Sequence, residues 1–241
     1  MEGDLADSQT LVSSLQGSKA LVNIASLGFG HVDSIIQSAV QVGIRRAIFI
    51  STTAIFTQLD AKSKAIRLAA EQSIQTSRLD YTILRPTMIY GSRRDRNMWR
   101  LIRFMQVSPM VPIFGNGAYL QQPIYVDDVA RAIVDCLSND RTIGRAYNIA
   151  GKYPLTYNDV VDTIARKLSK HVWKVHIPFK SVVTLLGFFE RLHLPLSIRT
   201  EQVLRLNENK QFSYEDAQRD FGFSSLSFEE GIALELSSRQ R

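Results

Sequence analysis

The run Leu79-Asp-Tyr-Thr-Ile-Leu-Arg-Pro-Thr-Met-Ile-Tyr-Gly91 decides how this chain is read. Its β-branched and aromatic stretch, Tyr81–Leu84, has the composition of a buried strand, and Arg85-Pro86 breaks it. The irregular Pro-Thr-Met-Ile segment is therefore delivered to one edge of a sheet. In open α/β sheets the carboxyl edge of the strands is where ligands sit. Upstream, Arg46-Ala-Ile-Phe-Ile-Ser-Thr-Thr53 repeats the design and ends in three hydroxyl residues. Two such strands side by side define a candidate site.

Working outward, Gly3–Gly17 reads as a loop and a short helix that Asp7 or Ser8 caps. Leu21–Ala25 is a short buried strand, and the turn Ser26-Leu-Gly-Phe-Gly30 opens a helix over Val32–Val42. Arg46–Ser51 is the next strand, Ala61–Ser77 the next helix, and Tyr81–Leu84 the strand after it. This alternation predicts an α/β fold with parallel neighbours joined by right-handed crossovers. A basic helix follows near Asn97–Gln106. Val111–Phe114 and Gln121–Val126 are β-like runs flanking the turn Gly115-Asn-Gly117. Asp127 and Asp128 start a helix over Val129–Leu137, their charges favoured at its N-terminus. Tyr147–Ala150 is a last short strand.

The pattern changes near Lys152. Tyr157–Ser169 is an amphipathic helix with Thr156 or Asn158 as cap, Val172–Ile177 alternates as an exposed strand does, and Ser181–Leu192 is an apolar helix. The expected division is residues 1–151 as the main domain and 152–241 as a small α+β lobe on the substrate side.

Composition narrows the function classes. The chain has 241 residues, 45% hydrophobic and 22% charged, which is globular rather than disordered composition. Its net charge of +6 is mostly scattered. The densest basic cluster, Arg93-Arg94-Asp95-Arg96, reads either as solvated surface or as a local phosphate site. No nucleic-acid-reading motif is present, so no nucleic-acid partner is expected. His31, His171, His176 and His193 have no metal-ligand spacing, and no metal site is assigned. The sole cysteine, Cys136, lies in an apolar helical pattern and reads as core. One cysteine forms no intrachain disulfide, and the acidic N-terminus has no signal-peptide core, so a cytoplasmic location is expected. The most apolar window, Val182–Phe189, is far below the ~20 residues of a transmembrane helix.

Several phrases occur in order: Gly3-Asp4-Leu5, Val22-Asn-Ile-Ala25, Phe49-Ile-Ser-Thr-Thr53, Ser63-Lys64, Leu84-Arg-Pro-Thr-Met-Ile-Tyr-Gly91, Tyr125-Val-Asp-Asp-Val129 and Tyr147-Asn-Ile-Ala150. Together they resemble the extended and atypical short-chain dehydrogenase/reductases, the NAD-dependent epimerase/dehydratase family. The closing Asp216-Ala-Gln-Arg-Asp-Phe-Gly-Phe and Ser227-Phe-Glu-Glu-Gly231 are also similar to that family's end. The resemblance implies a doubly wound parallel, Rossmann-like sheet, NAD or NADP as cofactor, and a nucleotide-linked small-molecule substrate such as a sugar. It implies Thr53 and Lys64 as catalytic residues. Ala25, Ser51, Lys64, Pro86, Thr87 and Ile89 would line the cofactor, and Thr53, Arg93, Arg96 and Asn97 would face the substrate.

Two departures accompany the resemblance. The family opens with a Gly-x-x-Gly-x-x-Gly turn that holds the cofactor pyrophosphate, and this sequence has none; Gly28-Phe-Gly30 is followed by no third glycine. The chain is thus expected to begin at the end of the family's third strand, leaving an N-terminally truncated sheet. The edge of Leu21–Ala25 would then lie open, to be covered by a partner or a second copy or else to aggregate. The family's catalytic Tyr-x-x-x-Lys also places a tyrosine four residues before Lys64, where Asp60 stands. A carboxylate there is ionised at neutral pH and is a poor proton donor. Tyr81 and Tyr90 are the candidate replacements. Family members lacking this tyrosine are implied to bind cofactor as accessory or regulatory, non-catalytic proteins.

Overall fold

The structure, a computed structural model, describes residues 4–59, 61–92, 95, 97–184 and 204–237. They fall into two compact units. Unit 1 is Met1–Thr87, Asp127–Ala150 and Phe212–Ser224, and unit 2 is Met88–Val126, Gly151–Gln211 and Ser225–Arg241.

Unit 1 is the α/β core. β1 (Ala20–Asn23), β2 (Arg46–Ile50), β3 (Asp80–Pro86) and β8 (Arg145–Ile149) form one sheet in the order β1-β2-β3-β8, every pair parallel. α1 (Ser8–Leu15) precedes β1, and α2 (Val32–Gln41) and α3 (Lys62–Gln75) make the helical connections from β1 to β2 and from β2 to β3. α1 begins where the Asp7 carboxylate accepts the amides of Gln9 and Thr10, the cap expected from sequence. Ala47, Phe49 and Ile83 project from one side of the sheet and bury with Val32, Ile35, Ala39, Ala70 and Ile74 of α2 and α3. Each fully buried valine, isoleucine or phenylalanine of this kind stabilises by about 1.5–3 kcal/mol. At the amino end of β2, the Arg46 guanidinium donates to the Asp80 and Cys136 carbonyls and to the Thr82 and Thr142 hydroxyls. It ties β2, β3 and the end of α5 (Val126–Leu137) together.

Cys136 is buried, as expected of a core residue. The segment Phe212–Ser224, with α7 (Glu215–Phe221), returns to β8, where the Tyr147 hydroxyl donates to Asp220 at 2.9 Å. Burial first, and then that bond, push the Tyr147 phenol up. Among the described residues β1 pairs only with β2; Val22 of β1 and Ile24 just past it are 37% and 76% exposed.

Unit 2 has its own core, in which Met98, Ile102 and Met105 of α4 (Met98–Val107) pack with Val160, Val161 and Ile164 of α6 (Tyr157–Lys167) and Ile232 of α8 (Phe228–Ser237). β5 (Met110–Phe114) pairs in parallel with β10 (Trp173–Ile177), the exposed strand expected from alternation. α6 opens with a full capping box between Thr156 and Asp159, which selects Thr156 over Asn158 as its cap.

The single strand expected over Gln121–Val126 is instead two, β6 (Leu120–Gln121) and β7 (Ile124–Tyr125). β6 pairs antiparallel with β9 (Leu155–Thr156) and β7 parallel with β4 (Ile89–Tyr90). Pro123 lacks the amide that would continue one ladder, and Gly151 packs so closely on its carbonyl that a Cβ there would overlap it. Asp127 and Asp128 lie within the first turn of α5 and do not precede it. Of the apolar helix expected over Ser181–Leu192, residues 185–192 lie outside the described residues.

Candidate functional site

The carboxyl ends of β2 and β3 meet as the sequence anticipates, and strand periodicity explains what they present. Side chains alternate between faces, so Ser51 continues the face of Ala47 and Phe49, and Arg85 that of Ile83. Ile50 and Leu84 are register partners, and the Ser51 amide donates to the Leu84 carbonyl at 2.8 Å. Ser51 and Arg85 therefore stand side by side facing α3. Buried Glu71 of α3 receives both: the Ser51 hydroxyl donates to Oε1, Arg85 Nε lies 3.1 Å from each carboxylate oxygen, and Arg85 Nη2 binds Oε2. The Arg85 guanidinium also lies 5.5 Å from the centroid of the Phe56 ring, which meets Phe212 at 5.7 Å.

Past β2 the chain turns through a short 3-10 segment, Thr53–Phe56, with the Thr52 hydroxyl accepting the Ala54 amide. Thr53 is buried, and its hydroxyl donates to the Pro86 carbonyl at 3.4 Å. Lys64, in the first turn of α3, donates from Nζ to the Thr57 carbonyl at 2.7 Å. One of its three N–H groups thus holds the loop before α3. Thr87 is buried with its amide on the Ile149 carbonyl at 3.0 Å, and the Ala25 carbonyl accepts from Asn23 Nδ2. Within unit 1, then, Ser51, Thr53, Lys64, Pro86 and Thr87 stand along the strand exits of β2 and β3, and Ala25 at the exit of β1.

The other expected site residues are placed differently. Ile89 and Asn97 belong to unit 2: Ile89 pairs with Ile124 in β4, and Asn97 is exposed just before α4. Asp95 closes that turn by accepting the amides of Asn97, Met98 and Trp99. Arg93, Arg94, Arg96 and Asp60 lie outside the described residues. Neither candidate replacement tyrosine stands at the strand exits. The Tyr81 hydroxyl donates to Gly144 at the opposite end of β3, and Tyr90 is buried in the core of unit 2 with its hydroxyl on the Phe228 carbonyl.

Three residues that sequence reasoning passed over complete the rim. Glu71 is the first. Arg67 is the second: its Nη1 donates to Ser63 at 3.0 Å, and its guanidinium lies so close to Gly28, in the turn after β1, that a Cβ there would sit 3.3 Å from Nη2. The third is Asn148, register partner of Arg85 on β8, whose Oδ1 is buried with no hydrogen-bond donor among the described residues. A helical i, i+4 pair and a polar residue inside a short strand were the available signals. Which of Lys64 and Arg67 meets the turn after β1 depends on how α3 docks.

Chemically, this edge offers a cation over a bare glycine turn and a hydroxyl-bearing 3-10 turn. Those groups fit the hydroxyls, amide and phosphates of a nucleotide. No group of three or more His, Cys, Asp or Glu arranged for a metal occurs among the described residues, and no described helix is long and apolar enough to cross a membrane.

Comparison with known proteins bears on the family and the fold. Residues 1–140 match a family model described as NAD(P)H-binding. The chain is 30% identical over 139 residues to NADH dehydrogenase (ubiquinone) 1 alpha subcomplex subunit 9, mitochondrial, of Arabidopsis thaliana, covering 57% of this chain and 34% of that protein. It is 27% identical over 107 residues to UDP-glucuronate 4-epimerase of Thermodesulfobacterium geofontis, covering 42% and 32%. The chain thus spans about a third of the length of these curated relatives. Among solved structures it superimposes on UDP-glucuronic acid 4-epimerase from Bacillus cereus, in complex with UDP-glucuronic acid and NAD, with a TM-score of 0.77 at 17% identity, covering 99% of this chain and 80% of that one. At that identity the likeness establishes the Rossmann-like fold.

Proposed function

Because this chain belongs to that NAD(P)H-binding family, we propose that it holds a nicotinamide dinucleotide at the strand exits of unit 1. What supports this reading is the parallel sheet within the matched region, with Ser51 and Thr53 past the carboxyl end of β2 and Arg67 of α3 against the glycine turn after β1. Arg67 and Lys64 are the cations for ribose and phosphate oxygens. Ala25, Pro86 and Thr87 supply backbone and van der Waals contact. NAD and NADP are both compatible with these groups.

The finer reading is an epimerase, dehydratase or reductase acting on a nucleotide-linked sugar. A bound nicotinamide supplies the hydride acceptor or donor. Thr53 orients the substrate hydroxyl or carbonyl. A second reading, a non-catalytic dinucleotide-binding accessory subunit, is favoured by Asp60 at the position of the family's proton-transferring tyrosine. The relative named as a subunit of NADH dehydrogenase supports it too.

Titration with NADH and NADPH, followed by nicotinamide fluorescence, tests the common premise. It is run on this chain and on a version extended by the upstream coding sequence. Binding that weakens about tenfold or more in Arg67→Ala is expected; failure of both forms to bind either nucleotide overturns the proposal. Turnover of a panel of nucleotide sugars by the binding form selects the enzymatic reading, and binding without turnover selects the accessory one.

A further inference from the structure

Unit 2 presents an apolar surface that its own core does not use. In the parallel ribbon of β5 and β10, Met110 lies opposite Trp173 and Pro112 opposite Val175. Residues two apart share a face of a strand, and all four are exposed, whereas Val111 and Ile113 between them are buried in the core. Trp173 is 67% exposed and Val107, the last residue of α4, 83%. Helix end and ribbon adjoin, because the Trp173 amide donates to the Pro109 carbonyl at 2.8 Å. On α4 itself, Met98, Ile102 and Met105 turn inward, while Arg100, Arg103, Phe104 and Val107 form the exposed stripe at helical spacing.

The segments that build this surface carry an excess of cations. No Asp or Glu occurs between Asp95 and Asp127, nor between Asp162 and Glu190. Lys174 is neutralised by Asp162 at 2.7 Å. Arg100, Arg103 and Lys170 carry no ion pair among the described residues; Lys170 reaches the Gln106 carbonyl at the end of α4, and Arg103 lies over the Trp99 ring. An exposed tryptophan and aliphatic side chains rimmed by uncompensated cations suit the interface of a bilayer that carries negative headgroups. A second copy docking on the same face would bring these cations against one another, a repulsive arrangement.

We propose that this face of unit 2 docks on an anionic lipid surface. Trp173, Val107 and Met110 enter the interface, and Arg100, Arg103 and Lys170 meet the headgroup phosphates. The proposal is independent of the dinucleotide reading, which concerns unit 1.

The test is co-sedimentation of the full chain with vesicles of phosphatidylcholine alone and of phosphatidylcholine with about a third phosphatidylglycerol, the composition that gives the surface its charge. Binding only to the anionic vesicles is expected, with a blue shift of tryptophan emission that survives Trp99→Phe and disappears in Trp173→Ser. Each cation near such a surface contributes roughly fivefold in partition, so Arg103→Glu with Lys170→Glu weakens binding by at least about twentyfold. Lys19→Glu with Arg141→Glu, exposed positions of unit 1, changes net charge equally and leaves binding within about twofold. The proposal is overturned by no binding, by equal binding to neutral vesicles, or by an equal loss in the unit 1 variant. A Trp173-dependent dimer in light scattering without vesicle binding also overturns it and makes the face a contact between copies.

Discussion

Replacing Glu71 by leucine removes the carboxylate to which both Ser51 and Arg85 are bound at the exits of β2 and β3. The side chain of Glu71 is 4% exposed and that of Arg85 18%. Breaking a buried pair by deleting one partner costs about 3–5 kcal/mol, because a charge is left buried without compensation. Arg85 retains some access to water, which places the expected loss at the lower end, about 3 kcal/mol. With a urea m value of about 3 kcal/mol/M, the unfolding midpoint then falls by about 1 M. Glu71→Gln keeps an oxygen for Arg85 but not the charge, and about 1.5 kcal/mol is lost. The double variant Glu71→Leu/Arg85→Met removes both charges and recovers to within about 1 kcal/mol of the parent. Urea unfolding followed by circular dichroism gives all three numbers. If the single leucine variant unfolds with the parent, or the double variant is as unstable as the single, Glu71 and Arg85 are not an isolated buried pair and the account of the rim is wrong.

Other expectations concern the supports of each unit. Gly151→Ala forces a Cβ into the Pro123 carbonyl, and a loss of about 3 kcal/mol in thermal or urea unfolding is expected, overpacking against backbone being costly. Burial pushes the Cys136 thiol up to about 12, so Ellman's reagent at pH 8 leaves the native chain unlabelled and reacts with one thiol in urea; fast native labelling contradicts the packing of α5. The Tyr147 phenol is raised above its ordinary value by burial and by Asp220. Its contribution is therefore present below about pH 10 and lost as pH rises through the higher folded value. Stability measured from pH 8 upward should fall more steeply in the parent than in Tyr147→Phe. Thr156→Ala removes the capping box of α6 and should cost about 1 kcal/mol.

How much of this could be read from sequence follows from what each feature depends on. β2 and β3 were legible because local composition and the Arg-Pro break determine a strand and its end. α5 was legible from its period, and α1 from the cap at Asp7. The split into β6 and β7 was not, since it arises from the close approach of Gly151 to Pro123, 28 residues away. At the site, the positions of Ser51 and Thr53 came from the strand end itself. The pairing of Glu71 with Arg85 needs the helix laid across the sheet, and α3 alone does not say which of its polar residues faces inward. For the same reason Lys64 was singled out from its neighbour Ser63, while Arg67, one turn on, is the cation against the turn after β1. Asn148 read as an ordinary strand residue until register placed it beside Arg85.

Hydrogen exchange of the backbone amides with and without NADH tests the central claim most directly, because it reports where a ligand orders the chain. The account predicts protection confined to residues 25–30, 51–57 and 85–87 and to the amides around Asn148, lost in Arg67→Ala. Protection confined to unit 2, or none at saturating nucleotide, would contradict it.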